Sequence, residues 1–347
     1  MKIKILLILF LLLILQPMTV YAMEFDAPAA PEGVEKYIPE EDESFASGVW
    51  YVIKTAIGDI RPDLKEATAT SLSLIAVVML LSITSKFSGI TDQVIQLSTA
   101  VCLGLIMLRS TKSFLYLGKD TVARLCDYGK LLLPSLTAAT AAAGGTSTSV
   151  ALYSGTYIFV TIFSTLVNKC IIPLTYIYLC FSICNCAFQN DVFVGMKKFV
   201  KWLSTWLLKT IMFVFTGYMG ITGAISGSVD TAALKATKLT INGAVPVVGG
   251  ALSDASEAIL VSAGIMKNAV GVYGIFVFLA ICIGPFLKVG VHYLILKFTT
   301  AICSILTSKG VALIQEMSEI MGVVLAITGV GCLMLLISVV CFIRCNI

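Results

Sequence analysis

Apolar runs follow one another along this chain from Thr68 to Ile343, separated only by short polar stretches. Hydrophobic residues make up 58% of the sequence and charged residues 13%, whereas an ordinary soluble domain has about 45–50% and about 25%. A soluble fold cannot bury that much apolar surface, but a helix that crosses about 30 Å of hydrocarbon satisfies its own backbone hydrogen bonds. The sequence therefore predicts an all-α fold, a polytopic transmembrane helical bundle.

Residues 1–22 have the pattern of a cleavable signal peptide. Lys2 and Lys4 precede a short apolar run, Ile5–Leu15, and Val20–Ala22 places small residues at the two positions that a signal peptidase reads. The run is short for a membrane span, so cleavage is favoured over a retained first helix. Cleavage would leave the new N-terminus outside the cytoplasm.

Residues 23–67 form a predicted acidic extracytoplasmic lead-in. Between Met23 and Gly48 eight acidic residues face one base, Lys36, and three prolines interrupt any helix, which is typical of a solvated, flexible segment. Val49–Lys65 is short and mixed in character, and its two aromatic residues, Trp50 and Tyr51, suit the headgroup level. We interpret that stretch as an interfacial helix.

Residues 68–347 form the predicted polytopic membrane domain, with about eight spans (7–9). The candidate spans are Thr68–Thr84, Val94–Leu108, Val150–Val167, Ile171–Phe188, Leu203–Ile225, Asn268–Leu287, Val289–Leu306 and Ile320–Ile343. Two further apolar stretches, Leu131–Ala143 and Ile241–Met266, are short or interrupted by Gly, Pro and charge. They are candidates for re-entrant broken segments.

Lys and Arg in short loops indicate the orientation, because cytoplasmic loops carry more of them. Arg344 and the loop after Phe188 both read as cytoplasmic, the loop because of Lys197, Lys198 and Lys201. Counting back from that loop over the clear spans, however, places the lead-in inside, against the signal peptide. A crossing by Leu131–Ala143 would restore agreement but would put the basic stretch Arg109–Lys130 outside. The sequence therefore leaves open whether the number of crossings between the lead-in and that loop is odd or even.

The polar and broken segment at residues 226–267 is the candidate functional segment. It has an amphipathic start, a turn at Val245–Gly250 and two good helix N-caps. Either it is an extracytoplasmic loop folded on the bundle, or it is a broken helix that dips into the membrane beside a cavity. The residues singled out are Asp230, Lys235, Lys238, Pro246, Gly249, Gly250, Ser253, Asp254 and Glu257.

This same segment carries a resemblance to a known family. SGSVD at residues 226–230, Lys235 and Lys238, and VPVVGGALSDASEAI at residues 245–259 precede a glycine-rich span with Asn268, Gly271 and Pro285. The chain resembles the stage III sporulation protein AE family over essentially its whole length. The resemblance implies a non-enzymatic membrane subunit of the channel or secretion-like complex that links mother cell and forespore and supports late forespore gene expression.

The resemblance also implies the partners and the location. The partners are the other proteins of the same sporulation operon complex, including an ATPase subunit, and a forespore membrane protein. The implied location is the cell membrane, as a multi-pass protein of the mother-cell-derived membrane around the forespore. From the residues themselves we expect the lipid bilayer as a partner and no nucleic acid, because a net charge of +4 is weak.

No catalytic, cofactor or metal site is predicted. The single histidine, His292, has no second histidine for a zinc site and reads as a packing residue rather than a polar group lining the bundle. Cys180, Cys184 and Cys186 lack the spacing of a zinc ribbon, and no Gly-Lys-Ser/Thr loop is present to bind ATP. Any energy from ATP must therefore come from a partner.

An autonomous secondary transporter or permease for a small solute is the alternative function. It rests on a weak internal repeat, in which Pro134 and Pro173 have the same spacing as Pro246 and Pro285. Against it, the predicted spans contain few charges that would pair across two halves, since Lys209, Lys288 and Lys297 lie near predicted span ends. The small residues Gly217–Gly223 and Gly329–Gly331 allow close helix contact, either within the chain or between subunits.

Overall fold

The computed structural model describes residues 27–39, 44–87, 92–244, 249–306 and 310–344. Within these ranges the side chains of residues 85–87, 92, 223–244, 249–263, 266–267 and 306 are outside the description. The predicted signal peptide, residues 1–22, and Pro246 lie outside the described residues as well.

The described chain is all-helical, as predicted. A short 3-10 turn at Glu35–Tyr37 precedes the helices. These are α1 (Phe45–Gly58), α2 (Arg61–Phe87), α3 (Asp92–Ala142), α4 (Thr146–Leu166), α5 (Ile172–Phe188), α6 (Asp191–Ala244), α7 (Gly249–Leu306) and α8 (Val311–Arg344). A five-residue π-helical turn, Val167–Ile171, joins α4 to α5 without a break.

Several predicted spans are fused into longer helices. Among the described residues six helical stretches are long and apolar enough to cross a membrane: Arg61–Thr84, Gln93–Ala142, Thr146–Phe188, Asp191–Thr222, Asn268–Ile305 and Val311–Arg344. The predicted count of about eight spans is therefore not confirmed. Three prolines that suggested breaks lie inside or at the start of helices: Pro134, Pro173 and Pro285. Membrane helices tolerate proline where neighbouring groups compensate the lost hydrogen bond.

The fusion of Val150–Val167 with Ile171–Phe188 changes the number of candidate spans on which the side of the lead-in depends. Three helical stretches, not four, now lie between the lead-in and the loop at residues 189–190, so these two parts fall on opposite sides if each stretch crosses once. No separate crossing by Leu131–Ala143 is needed, because that stretch continues α3. A lead-in outside and a basic loop inside are then compatible.

The same count, with one crossing per helix, would place Arg344 on the side opposite the basic loop, which differs from the predicted cytoplasmic C-terminus. The predicted spans Asn268–Leu287 and Val289–Leu306 are one helix, α7, so three helices connect the basic loop to Arg344. Glu316, near the start of α8, contacts Lys197, whereas Ile343 at its other end lies beside Gly271. The basic loop and Arg344 therefore lie at opposite ends of the bundle, and the cytoplasmic side of the C-terminus stays a prediction.

Helix α8 forms the axis of the bundle and contacts each helix from α3 to α7. Its buried face supplies two apolar clusters in succession, one around Met317, Ile320 and Met321, the other around Leu335 and Phe342. We call the end where α5 turns into α6 and where α8 begins the basic end. The end at the α3–α4 turn and Arg344 is the far end.

Part of the predicted lead-in packs on the bundle instead of being solvated throughout. Val34 is buried in the apolar cluster nearer the far end, and the Tyr128 hydroxyl donates to the Pro28 carbonyl at 3.4 Å. Helix α1 begins after Ser44, whose side chain accepts from the Ser47 N–H as an N-cap. We call residues 27–39 the strap.

Candidate functional site

The basic end is built by two tight connections that bring α5, α6 and α8 together. Gln189 ends α5 in the left-handed region with φ 48°, and the Asn190 side chain caps α6 by accepting from the Val192 N–H at 2.9 Å. Gly310 starts α8 with φ +79°, and a Cβ there would lie 2.9 Å from Thr99. Only glycine adopts that backbone so close to α3 without strain.

Glu316, on the second turn of α8, is the most enclosed carboxylate of this end. Lys197 of α6 donates to its Oε1 at 2.6 Å, and the Tyr178 hydroxyl of α5 donates to its Oε2. The side chains of Lys197 and Glu316 are only 13% and 16% exposed. The pair therefore fixes α8 to two helices at once.

Glu319 lies one turn further along α8 and joins two other cations. Lys201 of α6 lies 2.9 Å from its Oε2, and Lys297 of α7 lies 3.1 Å from its Oε1. Residues three apart on a helix are neighbours on its surface, so the two carboxylates form one continuous row. Two carboxylates thus meet three ammonium groups, which leaves this row with a net charge of +1.

Buried hydroxyl groups extend the row between the helices. Ser182, Thr175 and Ser204 are each 2–3% exposed, and each donates to the backbone carbonyl four residues earlier. Together with the ion pairs they form a polar layer between α5, α6 and α8. We call this layer the polar seam: Thr175, Tyr178, Ser182, Lys197, Lys201, Ser204, Glu316 and Glu319.

A polar seam inside an apolar bundle is costly, which makes it a candidate functional region. Transferring a charge to the centre of a bilayer costs at least about 2.5–3.5 kcal/mol, so such groups are paired and generally line pathways or binding sites. An apolar packing layer would hold the same helices together at no such cost. The arrangement can bind ions or protons, or hold polar ligands that enter from the basic end.

Sequence reasoning missed this site because it placed the last span at Ile320–Ile343. Helix α8 begins at Val311, so Glu316 and Glu319 belong to an apolar helix rather than to a loop. The expectation that the spans lack paired charges is therefore wrong. The available signal was the acidic pair three residues apart, opposite Lys197 and Lys201 spaced four apart.

A second charged contact joins α7 to α2, away from the seam. Lys288 lies 3.2 Å from Asp63 and 2.8 Å from Glu66, so it is paired rather than directed to a membrane surface. His292 is buried, its Nδ1 lies 3.0 Å from the Lys288 carbonyl, and its ring packs edge-on against Phe114. These contacts support its interpretation as a packing histidine.

The predicted functional segment does not join the polar seam. Its first three charged residues continue α6 beyond the far end, and the others follow the start of α7. Gly249 and Gly250 open α7, so the predicted turn reaches no further than that point. The side chains of Asp230, Lys235, Lys238, Ser253, Asp254 and Glu257 are outside the described part, and their role stays a prediction.

Comparison with known proteins gives one family over most of the chain. The model of the family described as stage III sporulation protein AE matches residues 39–345. Stage III sporulation protein AE of Bacillus subtilis (strain 168) is 23% identical over 184 residues, 53% of this chain. The chain matches over 46% of the length of that relative, less than half. No solved structure matches.

Proposed function

Because the chain belongs to the stage III sporulation protein AE family, we propose that it is a non-enzymatic membrane subunit of the channel or secretion-like complex between mother cell and forespore. In this role it supports late forespore gene expression from the mother-cell-derived membrane around the forespore. Its partners are the other proteins of the same sporulation complex, including an ATPase subunit, and a forespore membrane protein.

The family match over residues 39–345 is the observation that carries the proposal. It covers every membrane-length helix among the described residues, from Arg61 to Arg344. A helical bundle with a polar seam suits a channel component, since intramembrane charges generally line a pathway.

The segment at residues 226–267 supplies the first test. Gly249 opens α7 directly after the turn, and valine there is expected to restrict the backbone. Gly249→Val should abolish late forespore gene expression in a sporulating host while the protein stays in the membrane. Gly264→Val on the same helix, where a Cβ would meet open space, is the matched control. Glu41→Gln in the acidic lead-in should be nearly silent.

The outcomes separate a functional segment from a passive one. If Gly249→Val sporulates normally, the segment is a passive loop. If the variant protein disappears from the membrane while Gly264→Val does not, the glycine serves folding, and the assignment of function to this segment fails.

The alternative, an autonomous secondary transporter, predicts a different location in the cell. A fluorescent fusion in sporulating cells should concentrate at the engulfing septum if the chain is a subunit of the channel complex. Uniform distribution in vegetative cells, with solute uptake that needs no other sporulation protein, would favour the transporter instead.

A further inference from the structure

A polar cavity opens at the basic end and leads to the polar seam. Its volume is about 370 Å³, room for on the order of ten waters. It lies between the end of α5 and the starts of α3, α6 and α8, and its walls include Gln96, Asn185, Gln189, Lys197 and Glu316. Water can therefore reach the Lys197–Glu316 pair from one side.

Behind that pair lies a second, much smaller void. It measures about 10 Å³ and is lined by Thr175, Tyr178, Lys201, Ser204, Glu319 and Val323. A void of that size holds a single water at most. A metal ion with its shell of several waters does not fit, whereas a single water can accept and pass on a proton.

Tyr178 connects the two spaces. Its hydroxyl bonds Glu316, which lines the cavity, and its side chain forms a wall of the void that Glu319 also lines. With one water in the void, a continuous row would run from the cavity water through Glu316, Tyr178 and that water to Glu319. We propose that this row is a proton relay that carries protons from the cavity at the basic end to Glu319. The proposal stands on this geometry and does not depend on the channel function.

The transfer is balanced in protons. A cavity water in its hydronium form gives a proton to Glu316, which passes one to the Tyr178 oxygen while the tyrosine releases its own hydroxyl proton to the enclosed water. That water protonates Glu319. At the end Glu316 is again a carboxylate, Tyr178 is neutral, and one proton has moved from the cavity water to Glu319 with no change of oxidation state.

Protonation of Glu319 changes the forces between α6 and α7. The charged or titratable groups that face this region from the surrounding helices are Tyr178, Lys197, Lys201, Tyr293, Lys297 and Glu316. A neutral Glu319 leaves Lys201 and Lys297 as two like charges that no longer share a carboxylate. The relay would therefore weaken the contact between α6 and α7 at the basic end.

Time-resolved infrared spectroscopy of the full-length protein in liposomes tests the relay. After rapid acidification, the band of a protonated carboxyl should rise, and its absence in Glu319→Gln assigns it. Tyr178→Phe removes only the hydroxyl and should slow the rise by about 10²-fold, the lower end of what a positioned proton donor contributes, without reducing its final size. Tyr176→Phe, two residues earlier on α5 and only partly buried, is the matched control and should behave as wild type.

A second variant keeps the test decisive. Glu316→Gln keeps the size of the side chain, but an amide cannot take up and pass on the proton as a carboxylate does, so it should also slow the rise to the level of Tyr178→Phe. An unchanged rate in either variant would overturn the relay, as would the lack of any band that Glu319→Gln removes. A rise that follows sodium concentration at constant pH would replace the proton by a metal ion and overturn it too.

Discussion

The two ends of the bundle hold the same helices together by different physical means. At the far end the contacts are apolar and close: a Cβ on Gly155 would lie 2.0 Å from the Tyr218 ring, and one on Gly271 would lie 2.6 Å from Ile343. The Thr156 hydroxyl, also buried there, donates to the Ser338 hydroxyl at 2.9 Å. At the basic end the same α8 is fixed by carboxylates and ammonium groups.

The helices are held in place by the fit of their surfaces at the far end and by charged groups at the basic end. Small residues let membrane helices approach closely, which stabilises them by packing without any charged group. The attraction between charges on neighbouring helices is offset by the free energy needed to remove them from water. Such pairs often contribute no more stability than apolar side chains would. The far end is therefore explained by packing alone, whereas the charges at the basic end indicate a role beyond packing.

The contrast between the two ends would fail if both ends of the bundle lay on the same side of the membrane. An impermeant maleimide should label native Cys345, which follows α8, from the same side as Ser44→Cys in the lead-in. Asn190→Cys, in the α5–α6 turn, should be labelled only from the opposite side. This result is all-or-none, because three helices separate residue 190 from Arg344.

Cys345→Ser provides the control for the native cysteine. Labelling of Cys345 and Asn190→Cys from one side would mean that one of the long helices crosses twice or not at all. The parity derived from the helix count would then be wrong.

Removal of one partner of the enclosed ion pair should have the largest effect on stability. Lys197→Met leaves the carboxylate of Glu316 without its cation while both side chains are more than four-fifths enclosed. Breaking a buried pair in this way costs about 3–5 kcal/mol. Thermal unfolding of the purified protein in detergent measures this loss of stability. The control is Lys198→Met at the next position, where the side chain is exposed, and its stability should be nearly unchanged.

A second substitution decides whether charge is the cause. Glu316→Gln in the Lys197→Met background should recover part of the lost stability, because no unpaired charge then stays enclosed. If the loss of unfolding free energy in the double variant equals the sum of the losses in the two single variants, the lysine acts by packing. The two ends of the bundle then differ less than the ion pairs suggest.

At the far end a single methyl group should be destabilising. Gly155→Ala forces the Tyr218 ring to move, and overpacking of this kind costs about 1–3 kcal/mol. Gly217→Ala on α6 is the matched control, since a Cβ there meets open space, and it should stabilise the helix by about 0.5–1 kcal/mol. Thermal unfolding of both variants is the measurement, and equal midpoints would contradict the close approach of α4 and α6.

Composition was sufficient to predict the fold class, but local patterns were not sufficient to predict the spans. Hydropathy finds where a chain is apolar, and Pro285 reads as a break in sequence although α7 continues through it. Whether a proline ends a helix depends on the neighbouring helices, which are not adjacent in sequence. This dependence explains the missed fusions.

The polar seam was unpredictable for a related reason. Glu316 and Glu319 stand next to an apolar run, and sequence alone assigns such residues to a loop. Their function depends on Lys197 and Tyr178, which are more than 100 residues earlier in the chain. Only the packing of three helices brings these groups together, whereas the family resemblance was visible because its motif is contiguous.

The smallest effect is expected for the attachment of the strap, which depends on pH through one ion pair. Lys36 donates to the Asp59 carboxylate, and the Tyr37 hydroxyl donates to the same oxygen at 2.9 Å. The hydrogen bond from Lys36, followed by that from Tyr37, lowers the pKa of Asp59, and the hydrogen bond to Asp59 raises the pKa of Lys36. The contact should therefore be constant between about pH 4 and about pH 10, the ordinary values of the two groups.

Outside that window the contact should weaken on both sides. It is lost as pH falls through the lowered pKa of Asp59, and as pH rises through the raised pKa of Lys36. Both side chains are about half exposed, so the effect is small and screened by salt. Hydrogen exchange of residues 27–39 should show slightly lower protection in acid, and Asp59→Asn should remove that dependence on pH. If the variant keeps the same dependence, another group controls the strap, and its attachment depends on the burial of Val34 rather than on this ion pair.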